Sequence, residues 1–288
     1  MNKEGLILST IGGVYRVYVD NEIIEMKPRG ILRHKKIKLL IGDKVVVNKE
    51  EKMIEDILER KNSLFRPKVA NLDLGVVVVS LVTPNFSSYL LDKFLTLLNM
   101  SGVKPLIVLT KEDLMEDKER IKEIVSNYAL LGIKAIPFSK RTKLGLEEIK
   151  EEVKDKVIAF MGQTGVGKSS LINVLDPDFE RDIGEYSIAL GRGKHQTKEV
   201  ILLPYENGFI ADTPGFSSLE LPIFKEDLSL FFPGYEHYKE NCKYTNCLHI
   251  SEKDCKVKEA LEEGKLTKES YQNYLDISKE LIFRKDRY

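Results

Sequence analysis

Residues 157–175 read Val157-Ile-Ala-Phe-Met161-Gly162-Gln163-Thr164-Gly165-Val166-Gly167-Lys168-Ser169-Ser170-Leu-Ile-Asn-Val-Leu175. A β-branched and apolar run leads straight into a glycine-rich segment, and an apolar helical pattern follows at Ser170–Leu175. Strand, G-x-x-x-x-G-K-[ST] and helix, in that order, make a phosphate-binding loop. Glycine lets the backbone curl until its N–H groups converge on phosphate oxygens, and the helix N-terminus adds partial positive charge. On this reading Gly162, Gln163, Thr164, Gly165, Val166, Gly167, Lys168, Ser169 and Ser170 surround a nucleotide. Lys168 reaches the β- and γ-phosphates, and Ser169 is a Mg2+ ligand.

Downstream, Gly208-Phe-Ile-Ala-Asp212-Thr-Pro-Gly215 is an apolar strand ending in Asp-x-x-Gly. Asp212 is placed to hold magnesium through water, and the Gly215 N–H to meet a γ-phosphate. Upstream, the run Pro105–Leu109 ends in Thr110-Lys111-Glu112-Asp113, which resembles the N-K-x-D base-reading motif of GTPases with Thr for Asn. A carboxylate at Asp113 accepts from guanine N1–H and N2–H2, a pattern adenine lacks, while the Lys111 stem lies along the base. Pro137-Phe138-Ser139-Lys140 resembles the S-A-K loop, whose backbone N–H meets the guanine carbonyl; Lys140 stands where Ala is usual. The two loops favour GTP over ATP. An ATP-dependent kinase on the same loop would lack the Lys111/Asp113 pair and need a lid over an acceptor, which the sequence does not offer.

The order is unusual. Base loops at 110–113 and 139–140 precede the phosphate loop at 162–169, and the magnesium aspartate comes last. Rejoining the usual order needs only the short link from a helical pattern at Leu144–Asp155 into Val157, so the domain reads as circularly permuted. The strand candidates around it are Leu74–Ser80, Pro105–Leu109, Lys134–Phe138, Val157–Met161, Val200–Leu203 and Gly208–Asp212. Helical patterns lie between them at Tyr89–Met100, Asp117–Leu131 and Leu144–Asp155, as in a doubly wound, mainly parallel α/β sheet. The first third reads instead as short strands: Val14–Val19, Glu22–Met26, a continuation at Gly30-Ile-Leu, and Lys44–Val47. These predict a small barrel, and a generic small β domain fits the pattern as well as an OB barrel does. The last portion, Lys256 to Arg284, reads as helical and charged.

The 288 residues, 42% of them apolar, suffice for two or three compact units. Net charge is +0, yet residues 1–66 carry 14 Lys+Arg against 10 Asp+Glu, and the remainder 31 against 35. From Lys27 to Gly42 there are six basic residues and no acidic one: Lys27, Arg29, Arg33, Lys35, Lys36 and Lys38. Such a run is either a polyanion contact or a solvated loop. No stretch reads as a signal peptide, and the longest apolar run, Leu74 to Val82, is too short to span a bilayer. All three cysteines fall within 242–255, an odd count that argues against a disulfide framework. A cytoplasmic protein with no membrane partner is expected. Cys242-x4-Cys247-x-His249-x5-Cys255 offers three thiolates and an imidazole, a closed tetrahedral set for one structural Zn2+. His34 and His237 have no such context.

Together these features resemble the small ribosomal subunit-dependent GTPase A family (RsgA, also called YjeQ or YloQ), over nearly the whole chain. Arg60-Lys-Asn-Ser-Leu-Phe-Arg66-Pro67-Lys-Val-Ala70-Asn71-Leu-Asp73 is similar to the family's junction between barrel and GTPase, and the cysteine spacing to its zinc pattern. Gly191-Arg192-Gly193-Lys194-His195-Gln196-Thr197 is similar to its first switch loop, G-R-G-R-H-T-T, with Lys194 for Arg and Gln196 for Thr. The resemblance implies an OB-fold RNA-binding domain (1–66), a circularly permuted α/β P-loop GTPase domain (67–222) and a mostly helical, zinc-containing C-terminal domain (223–288). It also implies late maturation of the small (30S) ribosomal subunit, hydrolysis of GTP to GDP stimulated by that subunit, and ribosomal RNA contact by the basic run. Thr197 maps to the family's switch threonine as a magnesium ligand.

Phe216 follows Asp-Thr-Pro-Gly where many GTPases place a water-orienting Gln, and a phenyl ring cannot polarise water, so slow intrinsic turnover is expected. The family's substitute is the switch histidine, here His195, beside Lys168 and Thr197 as catalytic candidates. His195 can equally be an ordinary loop residue, and Arg192 can contact phosphate instead. A monomer is expected. The competing reading is a nucleotide-gated rRNA-binding module in which hydrolysis only resets binding.

Overall fold

The computed structural model describes residues 2–30, 32, 38–65, 67–179, 200–212 and 219–284. Strands β1 (Asn2–Ile11), β2 (Val14–Val19), β3 (Glu22–Pro28), β4 (Lys44–Asn48) and β5 (Met53–Ile57) close into a barrel in the order β1-β2-β3-β5-β4. Closure leaves no exposed strand edge, and alternating residues such as Val17, Val19, Val45, Val47 and Ile54 fill the interior. β1 and β5 had no expectation from the sequence. Gly30 and Leu32, read as continuing the strand rhythm, are helical instead. The Leu32 N–H returns to the Arg29 carbonyl at 3.0 Å, and its side chain is buried.

A short hairpin, β6 (Ser63–Leu64) with β7 (Val69–Ala70), leads into the main sheet. Its strands are β8 (Leu74–Ser80), β9 (Lys104–Thr110), β10 (Ala135–Phe138), β11 (Val157–Met161), β12 (Ile201–Tyr205) and β13 (Gly208–Asp212), in the order β10-β9-β8-β11-β13-β12. Every pairing is parallel except β12 with β13. β8 is buried at every position because helices cover both faces of a parallel sheet. The described helices of this region are α1 (Ser88–Met100), α2 (Lys118–Ala129), α3 (Leu146–Val153) and α4 (Lys168–Leu175). Ser87 and Asp117 cap α1 and α2 by accepting the N–H of Leu90 and Arg120.

The last segment holds α5 (Leu228–Phe231), α6 (Lys256–Glu262) and α7 (Lys268–Glu280). The stretch 256–284, read as helical, divides into two helices. Gly264, at φ +74°, ends the first, Thr267 caps the second, and residues 281–284 are non-helical. α7 lies along α1, and its Tyr274 clusters with Phe232 and Tyr235, both tyrosines meeting Phe232 edge-on. No described helix is long and apolar enough to cross a membrane.

Candidate nucleotide and metal sites

Parallel strands deliver their following loops to one edge of the sheet. β11 lies between β8 and β13, so the 162–167 loop sits centrally, with the loops after β9 and β10 on one side and the end of β13 on the other. Gly162 (φ +139°), Gly165 (φ +80°) and Gly167 (φ +102°) turn the chain from β11 into α4. A Cβ on Gly162 would stand 2.2 Å from the Val78 carbonyl oxygen, so only glycine lets the loop leave the sheet there. Lys168 Nζ donates to the carbonyls of Gly162 (2.5 Å) and Gln163 (2.7 Å), so the ammonium lies inside the ring of the loop. Half-burial pushes its pKa down, and a polyphosphate there would restore the charge balance. Gln163, Thr164 and Ser169 are exposed, Val166 is buried and Ser170 is half-buried.

The base loop is tied to the phosphate loop. Buried Thr110 has its hydroxyl 2.5 Å from the Val166 carbonyl and 3.2 Å from that of Val79. Lys111, at φ +60°, donates Nζ to the carbonyls of Thr83 and of Gly165, the latter at 2.9 Å. The Asp113 carboxylate accepts from Arg141 Nε at 2.9 Å, and Arg141 and then Ser139 hold its pKa below the usual carboxylate range. It is therefore an acceptor-only group. Thr110, Lys111, Asp113, Leu114, Phe138, Lys140, Arg141, Gly167 and Ser170 line a cavity of about 480 Å³, within the size range of a ligand site. Ser139 is buried and Lys140 exposed on its rim. Arg141 is a cavity residue the sequence reading passed over. It lies three residues after the end of β10, and no motif marks it in the sequence.

The Asp212 backbone closes β13. Its side chain, together with Arg192, His195, Thr197, Gly215 and Phe216, lies outside the described residues. So do Arg33, His34, Lys35 and Lys36 of the basic run. Of the others, Lys27 and Lys38 are exposed, and Arg29 is exposed but ion-paired with Glu55. His237 is exposed and outside both sites.

Cys242, Cys247, His249 and Cys255 bring one donor atom each within 4.8 Å of one another. His249 Nδ1 is 3.6 Å from Cys242 Sγ and 3.3 Å from Cys255 Sγ, and those two sulfurs are 4.0 Å apart. A tetrahedron with about 2.3 Å Zn–S and about 2.0 Å Zn–N bonds has edges of similar length. Burial holds the imidazole neutral, its pKa pushed down to about 4, as a metal ligand requires. Burial also pushes the Cys247 thiol up to about 12, a cost that a dication would reverse by stabilising thiolate. Glu252 shapes the loop by accepting the N–H groups of Leu248, Ile250 and Ser251 at 2.7–3.0 Å. Tyr271 and Tyr274 on α7 donate to the His249 and Leu248 carbonyls, each at 2.8 Å. The four donors fit a closed structural zinc site.

Comparison with known proteins agrees with this geometry. The family model described as RsgA GTPase matches residues 57–222, and that of the RsgA N-terminal domain matches residues 4–54. The chain belongs to the RsgA GTPase family. It is 42% identical over 291 residues to the small ribosomal subunit biogenesis GTPase RsgA of Geobacillus sp. (strain WCH70), covering 99% of both chains. With the protein of that name from Caldanaerobacter subterraneus subsp. tengcongensis it shares 39% over 288 residues, covering 99% of this chain and 97% of the relative. The structure of YjeQ from Thermotoga maritima superposes with a TM-score of 0.85 at 32% identity, over 99% of this chain and 100% of that one. That of YloQ, described as a circularly permuted GTPase, gives 0.83 at 37%, over 100% and 98%. As an RsgA GTPase the chain hydrolyses GTP, a reaction this family carries out with Mg2+. The permuted order of its loops is a family property.

Proposed function

We propose that this chain binds the small ribosomal subunit and acts in its late maturation, hydrolysing GTP to GDP and phosphate with stimulation by the subunit. The observation that carries the reading is end-to-end similarity to proteins named small ribosomal subunit biogenesis GTPase. Lys168 and the 162–170 backbone bind the phosphates, while Ser169, Thr197 and Asp212 hold Mg2+. Thr110, Lys111, Asp113, Ser139 and Lys140 read guanine. His195 activates water once the subunit orders it, and Gly215 meets the γ-phosphate. The barrel touches ribosomal RNA through Lys27, Arg29, Arg33, Lys35, Lys36 and Lys38, and one Zn2+ on the Cys3His set orders the last segment.

Turnover of GTP and ATP by the purified chain, with and without small subunits, tests this. We expect GTP-selective turnover that is slow alone and at least about tenfold faster with subunits, since a missing water-orienting group leaves intrinsic hydrolysis slow. Equal turnover in both conditions would remove the subunit as activator and leave the hydrolase standing.

A further inference from the structure

Helix α1 carries a carboxylate that nucleotide chemistry does not use. Asp92 is 1% exposed, and its two oxygens are met from different parts of the chain. Tyr128 on α2 donates its hydroxyl to Oδ1 at 3.0 Å, and Asn273 on α7 donates Nδ2 to Oδ2 at 2.7 Å. Asn273 Nδ2 also lies 3.1 Å from Ser88 Oγ, which donates to Glu269 at 2.7 Å.

The charged groups around this seam are already paired with one another. On α2, Arg120 is taken by Glu123 and by Glu269 of α7. On α1, Lys93 is taken by Glu280 of α7 at 2.8 Å. Among the described residues no Lys or Arg forms an ion pair with Asp92, and Glu269 is the acidic neighbour. Beside Asp92 lies a cavity of about 20 Å³ whose lining includes Thr267 and Ser270, room for a single water. The Ser270 hydroxyl, 7% exposed, has no partner there.

A buried carboxylate with two neutral donors and no cation is better accommodated as the neutral acid. We propose that Asp92 is a proton-operated latch between the GTPase domain and the zinc-bearing segment. Its carboxyl takes up a proton when α7 seats on α1 and α2, and releases it when α7 lifts and water returns. The latch reaches the nucleotide site because α1 follows the loop through Thr83, whose carbonyl shares the Lys111 ammonium with Gly165.

The sign follows from the two states. Burial and then Glu269 raise the seated carboxyl to about 7, with the Asn273 and Tyr128 hydrogen bonds opposing. The lifted carboxyl has an ordinary value near 4. Seating is therefore strongest below pH 4, weakens as pH rises toward 7, and is constant once both states are ionised.

The test is hydrogen exchange of the α7 amides in the full-length, zinc-loaded protein, corrected for intrinsic exchange, across pH 6 to 8. We expect protection to fall about tenfold over that range. D92N keeps the shape without the titration, and its protection should be flat. Y128F removes a donor that favours the ionised carboxylate, and should move the midpoint upward. Flat protection in the unmutated protein, an unchanged slope in D92N, or a midpoint that stays or falls in Y128F would each overturn the latch. Y128F retains the buried ring, so it decides the matter even where D92N does not fold.

Discussion

Asp113, which we propose reads guanine, shows how little chemistry separates a base reader from a surface acid. Its carboxylate sits at the rim of a cavity, ionised and fixed by Arg141 and Ser139. Asp113→Asn replaces one acceptor by a donor, which opposes guanine N1–H and suits the C2 carbonyl of xanthine. A lost charge-assisted pair of bonds should weaken GDP binding at least about 100-fold, with XDP gaining correspondingly. Competition of labelled GDP with XDP and ATP measures this, and undiminished GDP affinity would sink the assignment. Lys111 and Asp113 were singled out from their spacing after an apolar run. Arg141 was not, because a lone arginine in a polar loop has no pattern until the fold sets it 2.9 Å from a carboxylate.

Between β13 and α6 the described helices are short, and Cys247, His249 and Cys255 are buried, with Tyr235 against the imidazole and Tyr271 and Tyr274 bonded to the loop backbone. Ordering by a bound dication is the physical expectation for such an element. Cys255→Ser removes one of four ligands while keeping the N-terminus of α6 polar. The purified full chain should carry about one zinc per molecule, and C255S close to none. In C255S, protease should cut within 242–280 while GTP binding persists, as the nucleotide loops belong to a separate sheet edge. Full zinc content in C255S would refute the ligand set. At this scale the strands of the main sheet were well marked in the sequence, because parallel buried strands read as continuous apolar runs, whereas β1 and β5 of the barrel were not. The break between α6 and α7 was not, since both flanks of Gly264 carry the same charged helical composition.

The barrel and the main sheet are joined by a knot of hydrogen bonds in the junction 60–73. Asn71, at φ +57° and 4% exposed, donates Nδ2 to the Gly42 carbonyl at 2.8 Å and accepts the Lys61 N–H at 3.0 Å. Asn62 brackets Leu72 through both its N–H and its carbonyl, and Arg60 grips buried Asp43 at 2.6 and 2.8 Å. Tyr18 of the barrel stacks edge-on against Phe209 of β13 at 5.3 Å, so barrel and main sheet share a contact. Asn71→Ala removes both side-chain bonds at a left-handed position and should cost about 3 kcal/mol in urea unfolding. Asn71→Gly keeps the backbone freedom and recovers only the part due to φ. If both variants unfold with the original midpoint, the junction is a passive linker.

Composition and spacing alone determined the phosphate loop, the permuted order, the parallel sheet and the cysteine set. Each motif is a local pattern of neighbours in the chain: Gly162 to Ser169, Thr110 to Asp113, and Cys242 to Cys255. Tertiary structure alone decided what depends on residues far apart. It brought Thr110 to Val166 and Lys111 to Gly165, turning two motifs into one cavity. It also buried Asp92 between Tyr128 and Asn273. An aspartate on a helix reads as a solvated charge, and its desolvation exists only once α1, α2 and α7 have packed around it.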